Sequence, residues 1–237
     1  MNSSQALALS VFGNLYLSDN LGILLDLESD EGLPLLGMKN IIPEQFQMEK
    51  KIDYLGERRS TSIDVFLSGE YQIAIECKFI EKEVGPCSHP RYPKINPKHC
   101  DGNFYIQDNQ KEQCPISKVD TNYWDYVPKF FDWEKNEAID HCPLDRNYQL
   151  VRNILAAGIK HGRPVSAANG HAILIYDERN PACLPGGAIF RAYSETRNAL
   201  IGPQMLRKIS WQRIINQMRG EKILPWLTER LNQKYGV

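Results

Sequence analysis

Residues 62–80 read SIDVFLSGEYQIAIECKFI, two largely apolar runs joined by a short polar turn. Ile63, Val65 and Leu67 alternate with Asp64 and Phe66, the two-residue period of a β-strand. Ser68-Gly69-Glu70 is turn chemistry, and Tyr71 to Ile80 is a second run rich in β-branched and aromatic residues. The two runs form a hairpin. Successive side chains point to opposite faces of a strand, so Glu76 and Lys78 share one face while Ile75 and Cys77 share the other. The turn brings Asp64 beside them. Ile73, Ile75, Cys77 and Phe79 bury one face, and Ala74 and Ile80 suggest partial burial of the other. Charge on a half-buried face is costly unless it has a partner or a task.

Two carboxylates and one ammonium at one end of a sheet face suit phosphodiester hydrolysis. Hard oxygen ligands hold Mg²⁺ while leaving most of its waters in place. Such an ion acidifies a bound water and polarises the phosphate, and a nearby lysine steadies the negative charge that develops. Asp64 and Glu76 are the expected Mg²⁺ (or Mn²⁺) ligands, joined by the backbone carbonyl of Cys77, and Lys78 is the expected catalytic cation.

On the N-terminal side, Ser3 to Tyr16 reads as a helix, capped by Ser3 or Ser4 and striped by Leu7, Val11, Phe12 and Leu15. Phe46 to Tyr54 reads as a strand. On the C-terminal side, Glu81 to about Arg146 is rich in Pro, Cys, Asn, Asp and aromatics and has little periodicity. A stretch this long without a pattern needs something to hold it together. Tyr148 to Lys160 is a strong helix with Gly162 just past its end. His171 to Tyr176 is a short apolar run that reads as a buried strand. Ala192 to Leu200, Gln204 to Met218 and Leu224 to Tyr235 read as helices. The expected domain organisation is one domain over 1–237, with an insertion at 81–146 and a helical extension at 190–237.

Asp64 followed by Glu76-Cys77-Lys78 on the next strand resembles the D…(D/E)xK signature of the PD-(D/E)XK, restriction-endonuclease-like nuclease superfamily, and the order of elements resembles its αβββαβ core. The likeness covers Ser3 to Tyr176 with the insertion removed. It implies an α/β fold with a mixed central sheet and a metal-dependent nuclease that cuts phosphodiester bonds, of DNA first of all, in restriction or repair. It also implies that Gln149, on the same helix face as Asn153, reaches the active site. Two features depart from the signature: Ile63 stands at the proline position, and the first helix carries no glutamate, leaving Glu49 and Glu57 as stand-ins. The competing readings are a catalytically silent nucleic-acid-binding or structural module of the same fold, and an iron–sulfur exonuclease.

The last of these arises from the cysteines. Cys87, Cys100, Cys114 and Cys142 all fall in the insertion, beside His89, His99 and His141. Four thiolates can close a tetrahedral zinc site and so fold a segment that lacks its own core. Superfamily exonucleases with an iron–sulfur cluster place one cysteine before the catalytic core and the rest after it. Here all four lie between the third strand and the later helix, which favours structural zinc, with isolated thiols as the alternative. Cys77 and Cys183 read as packing residues.

The remaining features set bounds. The chain of 237 residues carries a formal charge of −1, which excludes a general nucleic-acid coat and leaves any phosphate contact to local basic patches. Lys50, Lys51, Arg58 and Arg59 form one such cluster, and Arg146 and Arg152 flank Gln149. Tyr123, Trp124, Tyr126, Phe130, Phe131 and Trp133 read as a local core for the insertion, and His171 as a satisfied structural histidine. The C-terminal helices offer packing or a homodimer surface. No apolar run has the length of a bilayer span, and the N-terminus has no signal-peptide pattern, so a cytoplasmic protein is expected.

Overall fold

The computed structural model describes residues 3–37, 44–57, 62–96, 99–104, 110–119, 121–135 and 141–237. Arg58 and Arg59 of the basic cluster lie outside these. Five strands form one mixed sheet in the order β1-β2-β3-β4-β5: Gln45–Lys51, Ser62–Ser68, Gln72–Cys77, Gly170–Tyr176 and Leu206–Ser210. β1, β2 and β3 are antiparallel neighbours, while β4 and β5 run parallel to β3. The hairpin at 62–80 is therefore the hinge between an antiparallel half and a parallel half.

Helices cover both faces. The first helical stretch runs as α1 (Ser4–Ala8), a π-helical turn (Leu9–Gly13) and α2 (Asn14–Leu17), and Ser3 caps it by accepting from the Ala6 amide. Leu7, Val11, Phe12 and Leu15 are buried as the stripe requires. Together with α7 (Trp211–Gly220) and α8 (Pro225–Tyr235) they pack on the face of β3 formed by Ile73, Ile75 and Cys77. The other face is covered by α4 (Tyr123–Phe130), α5 (Pro143–Gly158) and α6 (Ala188–Ala199), with the short α3 (Gln110–Gln113) beside them.

Two expectations are corrected. Gln204 to Met218 is not one helix: Leu206–Ser210 is the edge strand β5, and the helix begins only at Trp211. Leu206 and Ile209 bury their side chains beside β4, and Ser210 accepts from the Arg213 amide at 3.2 Å as an N-cap, so a strand ends where a helix starts. Ile80 is 62% exposed and contributes no burial to its face. The aromatic cluster of the insertion does form core: Tyr123, Trp124, Phe130, Phe131 and Trp133 are all buried against α5 and its neighbours. Among the described residues, no helix is long and apolar enough to cross a membrane.

Candidate active site

β3 and α5 are joined by a ladder of polar contacts. Gln72, Glu76 and Lys78 lie on one face of β3 and its extension. Gln72 donates Nε2 to the carbonyls of Ala157 at 3.0 Å and Ile159 at 2.9 Å, at the C-terminal end of the helix. Glu76 Oε2 accepts from Asn153 Nδ2 at 3.0 Å, and Lys78 Nζ donates to Gln149 Oε1 at 3.0 Å. Two residues of strand advance about 6.6 Å and four residues of helix about 6 Å, so an antiparallel helix keeps step with the strand face. Gln149 and Asn153, four residues apart, therefore meet Lys78 and Glu76, two residues apart.

The second carboxylate enters because two strands separate. The β2–β3 ladder ends at Val65 and Ile75; one step further, the register sets Asp64 opposite Glu76. There the Asp64 side chain takes over the role of a strand partner, accepting the Cys77 amide N–H on Oδ2 at 2.7 Å. The β1–β2 ladder also skips Glu49 opposite Asp64, and Glu49 has a left-handed backbone with φ of 51°. Glu49 accepts hydrogen bonds from Ser62 Oγ and from Gln5 Nε2.

The electrostatics follow from this crowding. Glu76 is 3% exposed and Lys78 7%, and they form an ion pair at 2.8 Å. Burial alone would lower the Lys78 pKa, but Glu76 beside it, reinforced by Asp64 and Glu81, outweighs that and raises it, so the ammonium stays charged. Asp64 is pushed up to about 7, first by burial and then by the adjacent Glu76 and more distant Glu49, against the pull of the Cys77 amide and Lys78. Two carboxylates thus face one ammonium, which leaves negative charge for a cation to neutralise. Among the described residues, no group of three or more His, Cys, Asp or Glu side chains is arranged to hold a metal. Two carboxylates with a backbone carbonyl suit a hard ion that keeps several waters, as Mg²⁺ does.

Arg152, read from the sequence as part of a local basic patch, has a different place in the structure, and the roles of Glu81 and Trp211 escaped the sequence reading. Arg152 is fully buried, donating to the Ser62 carbonyl at 2.8 Å and to Asn153 Oδ1 at 3.1 Å, so it braces Asn153 and does not face a phosphate. Glu81 accepts from Ser4 Oγ at 2.5 Å and from the Phe79 amide at 2.6 Å, tying α1 to the stretch that follows β3. Trp211 donates Nε1 to the Lys78 carbonyl at 3.2 Å from the opposite face. An arginine and an asparagine in the middle of the apolar run of α5 were a signal for the first; nothing local pointed to the others. Of the two stand-in glutamates, Glu49 is near Asp64, whereas Glu57 accepts from the Tyr123 and Tyr148 hydroxyls. The four insertion cysteines are free thiols, three buried and Cys100 partly so. They lie apart from the carboxylates, with Cys87 and Cys142 flanking the start of α5.

A family model described as "Restriction Endonuclease associating with ARP" matches residues 1–236. No curated protein and no solved structure matches the chain.

Proposed function

The chain belongs to this restriction-endonuclease family, and on that premise we propose that it is a Mg²⁺-dependent nuclease that hydrolyses DNA phosphodiester bonds at Asp64, Glu76 and Lys78. One observation carries the reading. At the point where β2 and β3 part, Asp64 and Glu76 stand opposite each other, and Lys78 is bonded to both Glu76 and Gln149.

Asp64 and Glu76 would hold the ion, with the Cys77 carbonyl completing the protein's share of its ligands. When bound, the ion supplies an acidified water and draws charge from the phosphate. The chain's own residues do the positioning. Asn153, braced by Arg152, fixes the Glu76 carboxylate, and the Cys77 amide fixes Asp64. Gln149 holds the Lys78 ammonium from the helix side, leaving it a free N–H to aim at a non-bridging phosphate oxygen. Because Lys78 is buried and charged, it meets the developing negative charge with little rearrangement.

The test is cleavage of supercoiled plasmid, linear duplex and single-stranded DNA with Mg²⁺ or Mn²⁺. Asp64→Asn and Lys78→Met should each lower the rate by about two to four orders of magnitude. A folded protein that binds Mn²⁺ through Asp64 yet leaves every DNA form intact overturns the proposal.

A further inference from the structure

Four of the six cysteines lie between β3 and α5, and the backbone closes a ring around three of them. The Cys87 amide donates to the carbonyls of Leu144 at 3.3 Å and Asp145 at 3.0 Å. The Cys100 amide donates to the His89 carbonyl at 3.3 Å, and the Cys142 amide to the Gly102 carbonyl at 2.6 Å. Segments 87–89, 100–102 and 142–145 are thus each bonded to the other two, although up to 58 residues separate the ends in sequence (145 less 87).

The Gly102 amide donates to Cys100 Sγ at 3.3 Å. An N–H aimed at sulfur is weakly used by a neutral thiol and strongly by a thiolate that ligates a metal. Cys114 is buried in the same side of the core as Cys87, Cys142 and Cys183. Its amide donates to the Gln110 carbonyl at 2.9 Å, and the Gln110 side chain reaches Cys142 Sγ at 3.9 Å. Cys77 and Cys183, by contrast, fit the ordinary role of a small buried apolar residue.

We propose that Cys87, Cys100, Cys114 and Cys142 bind one structural zinc ion as a tetrathiolate. The sulfurs are not gathered as a finished site among the described residues. The loop closures are already made in the backbone, however, and zinc binding would require the side chains to turn their sulfurs inward. Each thiol gives its proton to solvent as its bond to zinc forms. The Arg91 guanidinium, bonded to the Cys87 carbonyl, places positive charge beside a centre of net negative charge.

The position gives the ion a purpose. Cys142 is the residue that precedes α5, the helix of Gln149 and Asn153. Cys87 follows Gly85, whose carbonyl accepts the Gln149 amide at 3.2 Å. Zinc would pin the insertion, the Gly85 turn and the N-terminus of α5 to one point.

The test is metal analysis of the full chain purified without chelator, paired with thiol counting. About one zinc per chain is expected. The four insertion thiols should be shielded from a maleimide until a strong chelator is added. Cobalt exchanged for zinc should give thiolate-to-metal bands in the near ultraviolet and tetrahedral d–d absorption in the visible. Cys100→Ser and Cys114→Ser should lose the metal, and Cys183→Ser should keep it. Should the first two fail to fold, the cobalt spectrum and thiol count of the unaltered chain still decide. A folded protein with neither zinc nor cobalt uptake overturns the proposal, and so does one that carries iron and sulfide. No cleavage assay enters the test, so its outcome is separate from that of the nuclease proposal.

Discussion

Asn153 donates its side-chain amide to Glu76 Oε2 at 3.0 Å across 77 residues of sequence, while its own oxygen accepts from the fully buried Arg152. This bond leaves Glu76 Oε1 to Lys78 and fixes which way the carboxylate faces. Asn153→Ala should leave a buried carboxylate oxygen and a buried guanidinium each short of a partner, at a cost of about 1–3 kcal/mol in folding stability. It should also weaken Mn²⁺ binding by about 10–100-fold, the usual effect of losing a group that orients a metal ligand. Denaturant midpoints and calorimetric Mn²⁺ titration measure the two effects separately. Unchanged metal affinity in a folded Asn153→Ala protein would show that Glu76 needs no such support.

Gly85 has φ of 121°, and a Cβ added there would lie 2.0 Å from Gln149 Oε1, the atom that receives the Lys78 ammonium. Gly85→Ala therefore strains the backbone and displaces Gln149 at once. The expected result is a loss of about 1–3 kcal/mol in stability and a fall in kcat of about tenfold or more. Gln149→Ala removes the same contact without the backbone strain. It should reproduce most of the kcat loss with a smaller change in melting temperature. If Gly85→Ala cuts as fast as the parent, Gln149 does not position Lys78.

Two buried groups give opposite pH dependences. His171 is fully buried, and its Nε2 donates to the Leu35 carbonyl at 2.8 Å while Nδ1 faces the Tyr71 hydroxyl, a pattern that suits the neutral ring. Burial, with Arg207 nearby, lowers its pKa from 6.5 to about 3. The unfolded chain then binds the extra proton first, so this contribution is intact above pH 6.5 and is lost as pH falls toward 3. At pH 4 the loss is about 3 kcal/mol. Asp64, raised to about 7, has the opposite sign: the folded metal-free protein holds its proton longer, and stability falls as pH rises from about 4 to 7. Between pH 4 and 6.5 the two slopes oppose each other. Thermal melts in the absence of divalent ions should show a flat region there for the parent and a clear rise with pH for Asp64→Asn. Added Mg²⁺ should stabilise the parent most above pH 7.

Much of this was legible because the hairpin at 62–80 states its own faces. Strand alternation alone puts Glu76 and Lys78 together, and the short turn puts Asp64 across from them. Gln149 followed from a resemblance, and its neighbour Asn153 lies one helical turn further along the same face. What stayed hidden depends on contacts distant in sequence or on where one element yields to another. Glu81 matters because Ser4 comes to it across 77 residues, and no local pattern marks such a pair. The edge strand Leu206–Ser210 was absorbed into a helix because LRKIS is short, mixes charge with apolar residues, and runs straight into a strongly amphipathic segment.

That boundary yields a last prediction. Ser210 Oγ accepts from the Arg213 amide, so one side chain both ends β5 and starts α7. Its neighbour Trp211 is fully buried and bonds the Lys78 carbonyl, which ties the entry angle of α7 to the end of β3 as well. Ser210→Ala should cost about 1 kcal/mol through the lost cap, and Ser210→Thr, which keeps a neutral acceptor at this buried position, should cost less. Paired denaturant melts of the two variants test this. If the cap acts only on stability, cleavage measured well below the melting temperature stays at the parent rate in both. If the angle of α7 also sets the height of Lys78, Ser210→Ala slows cleavage and Ser210→Thr restores it.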